Sequence, residues 1–209
     1  SSTFIYLFIL FGSYLEATGL GKLFIDLANA AAGWAAGGPA KVAVLSSGLM
    51  GTVSGSSVAN VAGTGAFTIP MMKKLGYRPA FAGAVEAAAS TGGQLMPPVM
   101  GAAAFLMAEF VGVPYIEVVE AAVIPALLYY IGVWIGVHYE AKKFGLKGTP
   151  RDQLPKFGKL FMEKGHLILP LAIIVYLLVS GYTPMRAALW AIGLTLICSC
   201  LRKSTRISF

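Results

Sequence analysis

The sequence predicts an all-α polytopic membrane protein, and three observations support that prediction. Of the 209 residues, 57% are hydrophobic and only 12% are charged, whereas a soluble domain carries about 25% charged residues. The mean hydropathy of +0.75 is typical of a chain that lies largely in a bilayer. Two polar breaks, Val53 to Asn60 and Ser90 to Pro98, interrupt otherwise apolar runs. These breaks predict a re-entrant helical hairpin and a discontinuous helix.

Charge and cysteine content exclude several other classes of protein. The net charge is +7, but the basic residues lie between apolar segments, which indicates membrane orientation rather than nucleic-acid binding. Cys198 and Cys200 would face apart on a helix, so we interpret them as apolar packing residues and not as a disulfide or a metal site. The sequence has no Ser/His/Asp triad, zinc motif or phosphate loop, and we expect no enzymatic activity.

Residues 1–36 are predicted to form a first span and an interfacial helix. The chain opens without Met and is already apolar, so we expect a piece of a longer protein. The run Phe4 to Leu15 is short for a span, which needs about 20 residues. Gly19 to Ala32 is predicted to be an amphipathic helix at the membrane surface, with an apolar stripe at helical spacing formed by Leu20, Leu23, Phe24 and Leu27.

Residues 37–76 are predicted to form the re-entrant hairpin. Val42 to Thr52 would be about 16 Å long at 1.5 Å per residue, roughly half of a hydrocarbon layer of about 30 Å. The second arm, Val58 to Met72, is also short. Lys41 precedes the pair and Lys73 closes it, which places both ends on one side of the membrane. A two-pass crossing fits the charges equally well, and the arm lengths favour re-entry.

Residues 77–138 are predicted to hold the broken helix and the span that follows it. We expect one helix over Arg78 to Ser90, an unwound link over Thr91 to Pro98, and a second helix over Val99 to Phe110. Paired glycines and paired prolines in the link cannot continue a regular helix. Tyr115 to His138 is long enough to cross the bilayer.

The rest of the chain is predicted to be a basic cytoplasmic loop, residues 139–164, and two C-terminal spans, residues 165–209. The spans cover Gly165 to Ser180 and Met185 to Leu201, and basic residues follow the second one. All the strongly basic segments then share one side of the membrane, which the positive-inside rule makes the cytoplasm. The turns at 112–114 and 181–184 lie on the other side.

The polar breaks supply candidate ligands for a cation. Ser54, Ser56, Ser57 and Asn60 offer hydroxyl and amide oxygens beside the flexible Gly55. Such a set, which has no carboxylate, favours a weakly held monovalent cation such as Na⁺ over Zn²⁺ or Mg²⁺. The alternative is that these serines only complete a turn or join helices. The second break favours the site, because unpaired polar groups in hydrocarbon cost several kcal/mol.

Glu86 is the carboxylate expected deepest in the membrane. An intramembrane carboxylate indicates a functional role by default. Its position leaves four alternatives open: a coupling group, a partner of a basic residue, a structural pair or a water-facing side chain.

Three linked stretches resemble the large membrane subunit of the TRAP (tripartite ATP-independent periplasmic) transporters. They are S-G-S-S-V-A-N-V-A-G-T-G from Ser54, I-P-M-M-K-K-L-G-Y from Ile69, and A-S-T-G-G-Q-L-M-P-P-V-M-G-A-A-A-F-L-M-A-E-F from Ala89. The form G-G-Q-L-M-P-P-V-M-G resembles the fused-permease branch that works with TAXI-type solute receptors. The resemblance covers Phe4 to about Lys142.

This resemblance implies one of two inverted repeats of an elevator-type, Na⁺-coupled transporter in a prokaryotic inner membrane. Its partners would be the lipid bilayer, a periplasmic solute-binding receptor, the remaining half of the permease, and a small membrane subunit or its fused equivalent. The substrate would be an organic acid or an amino acid, and Na⁺ would be the coupling ion, with no other cofactor. The implied Na⁺ ligands are Ser54, Gly55, Ser56, Thr91 and Gly92, and the implied substrate-binding residues are Ser56, Ser57, Asn60, Gln94 and Pro97.

Two departures from the family pattern narrow these expectations. Many dicarboxylate members have a serine after the paired prolines, where this chain has Val99, which argues against a dicarboxylate substrate. No second hairpin follows in the sequence, so we expect this chain alone to be incomplete as a transporter. The alternatives are a receptor-independent dicarboxylate or citrate symporter driven by Na⁺, and a membrane scaffold subunit without transport of its own.

Overall fold

The computed structural model describes residues 2–150, 152 and 154–200, which fold into helices joined by turns. This confirms the predicted all-α class. The helices are α1 (Ser2–Ala17), α2 (Leu20–Ala32), α3 (Gly38–Ser54), α4 (Ser57–Lys74), α5 (Pro79–Gly92), α6 (Ala102–Val111), α7 (Tyr115–Lys143), α8 (Phe157–Lys164), α9 (Leu169–Val179) and α10 (Pro184–Cys200).

Two helical segments in the described part of the chain are long and apolar enough to cross a membrane. They are α7 and the run Phe157–Val179, in which a short 3-10 turn, Gly165–Ile168, joins α8 to α9. The bent pair α1 and α2 provides a third such segment if its two helices together form one span. The length and composition of these helices therefore support the prediction of a membrane protein.

Helix α3 is the centre of the fold and packs against α1, α2, α4, α5 and α7. It begins with Pro39 in its first turn, where a missing N–H costs nothing. It ends at Gly55, whose φ of 58° is left-handed and closes the helix through its N–H to the carbonyl of Gly51. Most of its residues are buried, although Leu49 is exposed, which is typical of a helix that a bundle largely encloses.

The two arms of the hairpin are longer than predicted. Helix α3 has 17 residues and α4 has 18, which gives about 26 Å each at 1.5 Å per residue. Helix α3 starts four residues earlier than expected, and α4 starts one residue earlier and ends two residues later, with Pro70 inside it. Arm length therefore does not favour re-entry over a two-pass crossing, and re-entry stays a prediction.

Helices α1 and α2 meet at a bend of 67°. Gly19 makes the bend with a left-handed φ of 86°. Leu20, Leu23 and Phe24 of the predicted stripe are buried, and α2 packs on α3. The stripe is thus used for protein packing, and the placement of α2 at the membrane surface stays a prediction.

The predicted basic loop over 139–164 is shorter in the structure. Helix α7 continues to Lys143, and α8 occupies 157–164, so the helical run leading into α9 begins eight residues before the predicted boundary. Lysines obscured the apolar residues Phe157, Leu160 and Phe161 in the sequence. The remaining loop is held at the α2–α3 corner, where the N–H of Thr149 donates to the carbonyl of Gly33 at 2.8 Å.

Helix α10 covers the predicted last span, and α1 and α9 both pack against it. Cys198 is buried, Cys200 is exposed, and both are free thiols. Arg151 of the basic loop, Leu201 at the end of the predicted span, and the basic residues after it (Arg202, Lys203 and Arg206) lie outside the described residues.

Two large apolar cores divide the helices, and a third, small one joins α2 to α3. The first large core joins α1, α2, α6, α9 and α10 with the end of α3, the break and the start of α7. The other joins α3, α4 and α5 with the end of α7. The hairpin and the first half of the broken helix therefore pack as one unit, and their ends lie beside the other core.

Candidate functional site: the tip–break contact

The hairpin tip is formed by residues 54–57, between α3 and α4. Ser56 has an extended backbone and is the N-cap of α4, since its Oγ accepts a hydrogen bond from the N–H of Ala59 at 3.3 Å. The tip is thus a tight link in which Gly55 reverses the chain and Ser56 starts the second arm.

The helix break covers residues 93–101 and lies later than the predicted link over 91–98. Thr91 and Gly92 still belong to α5, where the Thr91 hydroxyl donates to the carbonyl of Ala87 at 2.8 Å. The paired prolines lack N–H donors, and the next helix starts only at Ala102 instead of Val99. The N–H of Gly101 donates to the carbonyl of Gln94 at 2.8 Å and closes the break into a compact loop.

The tip and the break touch each other, and we call this region the tip–break contact. The Gln94 side-chain amide donates to Ser57 Oγ at 3.0 Å. A Cβ added to Gly55 would lie 2.1 Å from the carbonyl oxygen of Met100. One turn earlier, a Cβ added to Gly51 would lie 2.3 Å from Gly93 Cα. The two segments therefore meet backbone to backbone, and glycines make that approach possible.

A cavity of about 910 Å³ opens beside the tip–break contact. Its polar wall is formed by Ser54, Gly55, Ser56 and Gln94, and the first residues of α6 also line it. The opposite wall comes from α1 and α7 and is apolar apart from Glu117. A small molecule fits this volume, since ligand pockets span about 300–1,000 Å³.

Ser54 Oγ is buried and has no hydrogen-bond partner among the described residues. Buried hydroxyl groups almost always have a partner, so an unpartnered one at a cavity wall calls for an explanation. A hydroxyl oxygen can accept a cation with its lone pairs. The role of Ser54 as a cation ligand stays a prediction.

The structure brings only some of the predicted site residues to the cavity. Thr91 is exposed on α5, and Gly92 packs under Tyr129, where an added Cβ would lie 2.4 Å from the ring. Neither forms a described hydrogen bond to the tip. Pro97 is half-buried within the break and does not line the cavity.

Asn60 lies deeper than predicted. Its side chain is fully buried, and its amide donates to the carbonyl of Ser47 at 2.8 Å. A Cβ added to Gly93 would lie 2.9 Å from Asn60 Nδ2. Asn60 therefore joins both arms beneath the break instead of facing the cavity.

The surroundings of Glu86 were not predicted from the sequence. It is fully buried, so it does not face water, and its described contacts include no basic side chain. Four hydroxyl groups surround its carboxylate, and we call this group the hydroxyl cluster: Ser47, Thr64, Thr68 and Ser90. The spacing of four residues between Thr64 and Thr68, and between Glu86 and Ser90, was the available signal.

Comparison with known proteins agrees with the resemblance. The profile of the family described as "Tripartite ATP-independent periplasmic transporter, DctM component" matches residues 1–209. The chain belongs to this family. As a TRAP large component it is part of a membrane transporter and not an enzyme.

Three relatives show the range of the TRAP family. The C4-dicarboxylate TRAP transporter large permease protein DctM of Pseudomonas aeruginosa is 32% identical over 182 residues, 87% of this chain and 42% of the relative. The isethionate permease protein DctMQ of Oleidesulfovibrio alaskensis is 29% identical over 195 residues, 92% of this chain and 30% of the relative. The sialic acid permease protein SiaM of Vibrio cholerae is 26% identical over 185 residues, 87% and 42% respectively. The chain spans less than half the length of each.

Proposed function

We propose that this chain forms one repeat of a Na⁺-coupled TRAP permease that takes up organic acids or amino acids from a periplasmic solute receptor. The observation that carries the proposal is the tip–break contact, where two interrupted helices meet at the wall of a cavity of about 910 Å³. Interrupted helices that meet in this way form the ion and substrate sites of many secondary transporters.

Na⁺ binds at the tip in this proposal. Ser54 Oγ has no other described partner, and Ser56 lies two residues away on the same cavity wall. A weak, oxygen-only set suits an ion that must be released in each cycle. Because Na⁺ would order the tip against the break, it would raise the affinity for substrate at the adjacent wall, and substrate would raise the affinity for Na⁺ equally.

The substrate in this proposal is an anion held by helix ends. No basic side chain lines the described cavity. Ala102 and Ala103 at the start of α6 do line it, and a helix N-terminus favours negative charge. The names of the three relatives specify a C4-dicarboxylate, isethionate and sialic acid. These names favour an organic acid as the substrate class in this proposal.

The remaining parts of the transporter are proposals of the same kind. We propose that the rest of the permease, a small membrane subunit or its fused equivalent, and a TAXI-type receptor complete the system in a prokaryotic inner membrane. The basic segments around Lys41, Lys73 and 142–147 support a cytoplasmic location for that side of the protein. A receptor-independent symporter would take up free substrate in proteoliposomes, whereas the proposed system requires the receptor.

Uptake by the full-length parent in proteoliposomes tests the coupling. We expect uptake with Na⁺ outside and none with choline in its place, and equal uptake in both buffers would refute Na⁺ coupling. A scaffold subunit would show no uptake in either buffer.

Ser54→Ala tests the ion site, because it removes an oxygen that has no described partner in the protein. We expect the Na⁺ concentration for half-maximal uptake to rise about tenfold, which corresponds to about 1.4 kcal/mol. Ser13→Ala is the matched control, since the Ser13 hydroxyl donates to the carbonyl of Ile9 within α1. Unchanged Na⁺ dependence in Ser54→Ala would remove this residue from the site.

A further inference from the structure

The hydroxyl cluster around Glu86 is separate from the tip–break contact and has no assigned role. Glu86 lies on α5 and is 0% exposed. Ser47 comes from α3, Thr64 and Thr68 come from α4, and Ser90 comes from α5. The carboxyl group therefore links all three helices of this core.

The two carboxyl oxygens of Glu86 have different surroundings. Oε1 accepts hydrogen bonds from three hydroxyl groups, those of Ser47 at 2.8 Å, Thr64 at 2.5 Å and Ser90 at 3.0 Å. Oε2 has a single hydroxyl neighbour, Thr68 Oγ1, at 2.5 Å. The second oxygen is thus the position at which a proton can reside.

Thr68 can serve either charge state of Glu86. When Glu86 is ionised, the Thr68 hydroxyl donates to Oε2. When Oε2 carries a proton, it donates to Thr68 Oγ1, and the Thr68 hydroxyl turns to the carbonyl of Thr64, which lies 3.1 Å away. A hydroxyl group donates one hydrogen and accepts others, so every group keeps a partner in both states.

Spacing in the cluster argues against a metal ion at this position. Its oxygen–oxygen distances of 2.5–3.1 Å are hydrogen-bond lengths. Oxygens from different residues that share an octahedrally coordinated ion at about 2.3–2.6 Å lie roughly 3.3 Å or more apart. A Cβ added to Gly65 would already lie 3.0 Å from Glu86 Cγ, so α4 is closed over the carboxyl group.

No other charged or titratable group on the surrounding helices forms a described hydrogen bond to Glu86. Tyr130 interacts electrostatically with Glu86, but its hydroxyl donates to the carbonyl of Ala89 at 2.8 Å. Lys41 Nζ lies 3.1 Å from His138 Nδ1. The remaining charged or titratable groups on α4, on α7 and at the N-cap of α5 have no described hydrogen bond to Glu86: Lys73, Lys74, Arg78, Tyr115, Glu117, Glu120, Tyr129, Tyr139, Glu140, Lys142 and Lys143.

We propose that Glu86 and Thr68 form a proton-binding site that joins the hairpin to α5. The proton comes from water, is held between Glu86 Oε2 and Thr68 Oγ1 while the core is packed, and returns to water when the core opens. Glu86→Gln copies the proton-bound arrangement, because its amide oxygen accepts the three hydroxyl groups and its amide N–H donates to Thr68.

Infrared difference spectroscopy of the full-length parent tests the site with the proton itself as the ligand. In the spectrum of the natural protein minus Glu86→Gln, we expect the carbonyl band of a neutral carboxyl group, and this band should shift in D₂O. Carboxylate bands alone, at every pH at which the protein stays folded, would overturn the proposal.

Thr68 variants test the partner of the proton. Thr68→Val should move the carboxyl band to higher frequency because the acceptor is lost, and Thr68→Ser should restore it. Thr195→Val is the matched control, since the buried Thr195 hydroxyl donates to Ala191 on distant α10; it should leave the band unmoved. A band unmoved by Thr68→Val would also overturn the proposal, and if that variant does not fold, the Glu86→Gln comparison decides. Neither Na⁺ nor uptake enters these measurements, so their result is independent of the proposed transport function.

Discussion

The tip–break contact and the hydroxyl cluster use the same two hairpin arms but satisfy their polar groups differently. At the tip, the segments meet through backbone, with Gly51 against Gly93, and Ser54 Oγ has no described partner. In the cluster, side chains in mid-helix surround Glu86 and each hydroxyl has a partner. An incompletely satisfied site suits an ion or substrate that comes and goes, whereas the cluster stays satisfied whether or not Glu86 carries a proton.

Gly51→Ala should have the largest effect, because it forces the hairpin and the helix break apart. Its Cβ would lie 2.3 Å from Gly93 Cα, and backbone at that position cannot turn aside as a side chain would. We expect uptake by the full-length parent to be abolished and the free energy of unfolding to fall by about 1–3 kcal/mol, as for other overpacked cores.

The control for this variant is Gly83→Ala on α5, where an added Cβ meets nothing within 4 Å. We expect it to be neutral or to stabilise α5 by up to about 1 kcal/mol, with uptake retained. Normal uptake in Gly51→Ala would show that the close approach of hairpin and break is not needed for transport.

Ser47→Ala should have an intermediate effect and separates the cluster from the tip. It removes a hydroxyl that donates to Glu86 at 2.8 Å, and loss of a buried hydrogen-bond partner costs about 1–3 kcal/mol. We expect a lower midpoint of thermal unfolding with an unchanged Na⁺ requirement. Ser54→Ala should instead raise the Na⁺ requirement and leave the midpoint of thermal unfolding unchanged. If both variants changed the same one of these two quantities, the two regions would not be distinct.

Gln94→Ala should have the smallest effect. Its hydrogen bond to Ser57 at 3.0 Å is exposed, so the loss of stability should stay below about 1 kcal/mol. Because this bond ties the break to the tip, we expect a rise of a few-fold in the Na⁺ concentration for half-maximal uptake. Gln94→Asn, which shortens the side chain but keeps the amide, serves as the comparison. Uptake identical to that of the natural protein in both variants would show that the hydrogen bond between Gln94 and Ser57 has no role in transport.

Much of the fold followed from sequence patterns that act locally. Gly55 among serines and the paired prolines Pro97 and Pro98 disfavour a continuous helix, so both breaks were predictable. Helix ends were less so: α3 begins at Gly38 instead of Val42, and α8 begins among lysines at Phe157. Those boundaries depend on packing against α5 and α2, which no local pattern contains.

The candidate site was predictable in type but not in detail. Gly55, Ser56 and Gln94 line the cavity, and their roles in binding stay predictions. Thr91 stays in α5 because its hydroxyl finds a carbonyl one turn back, and Asn60 is drawn into the core. Which face of each helix points to the cavity depends on how the arms rotate against one another.

By itself, the sequence determined that this protein is helical, lies in a membrane and has two interrupted helices, because hydropathy, glycine and proline act through the local chain. Only the tertiary structure decided that the interruptions meet and that Glu86 is enclosed by hydroxyl groups. Those hydroxyl groups come from Ser47, Thr64, Thr68 and Ser90, up to 43 positions apart in the sequence, and only packing of α3, α4 and α5 brings them together.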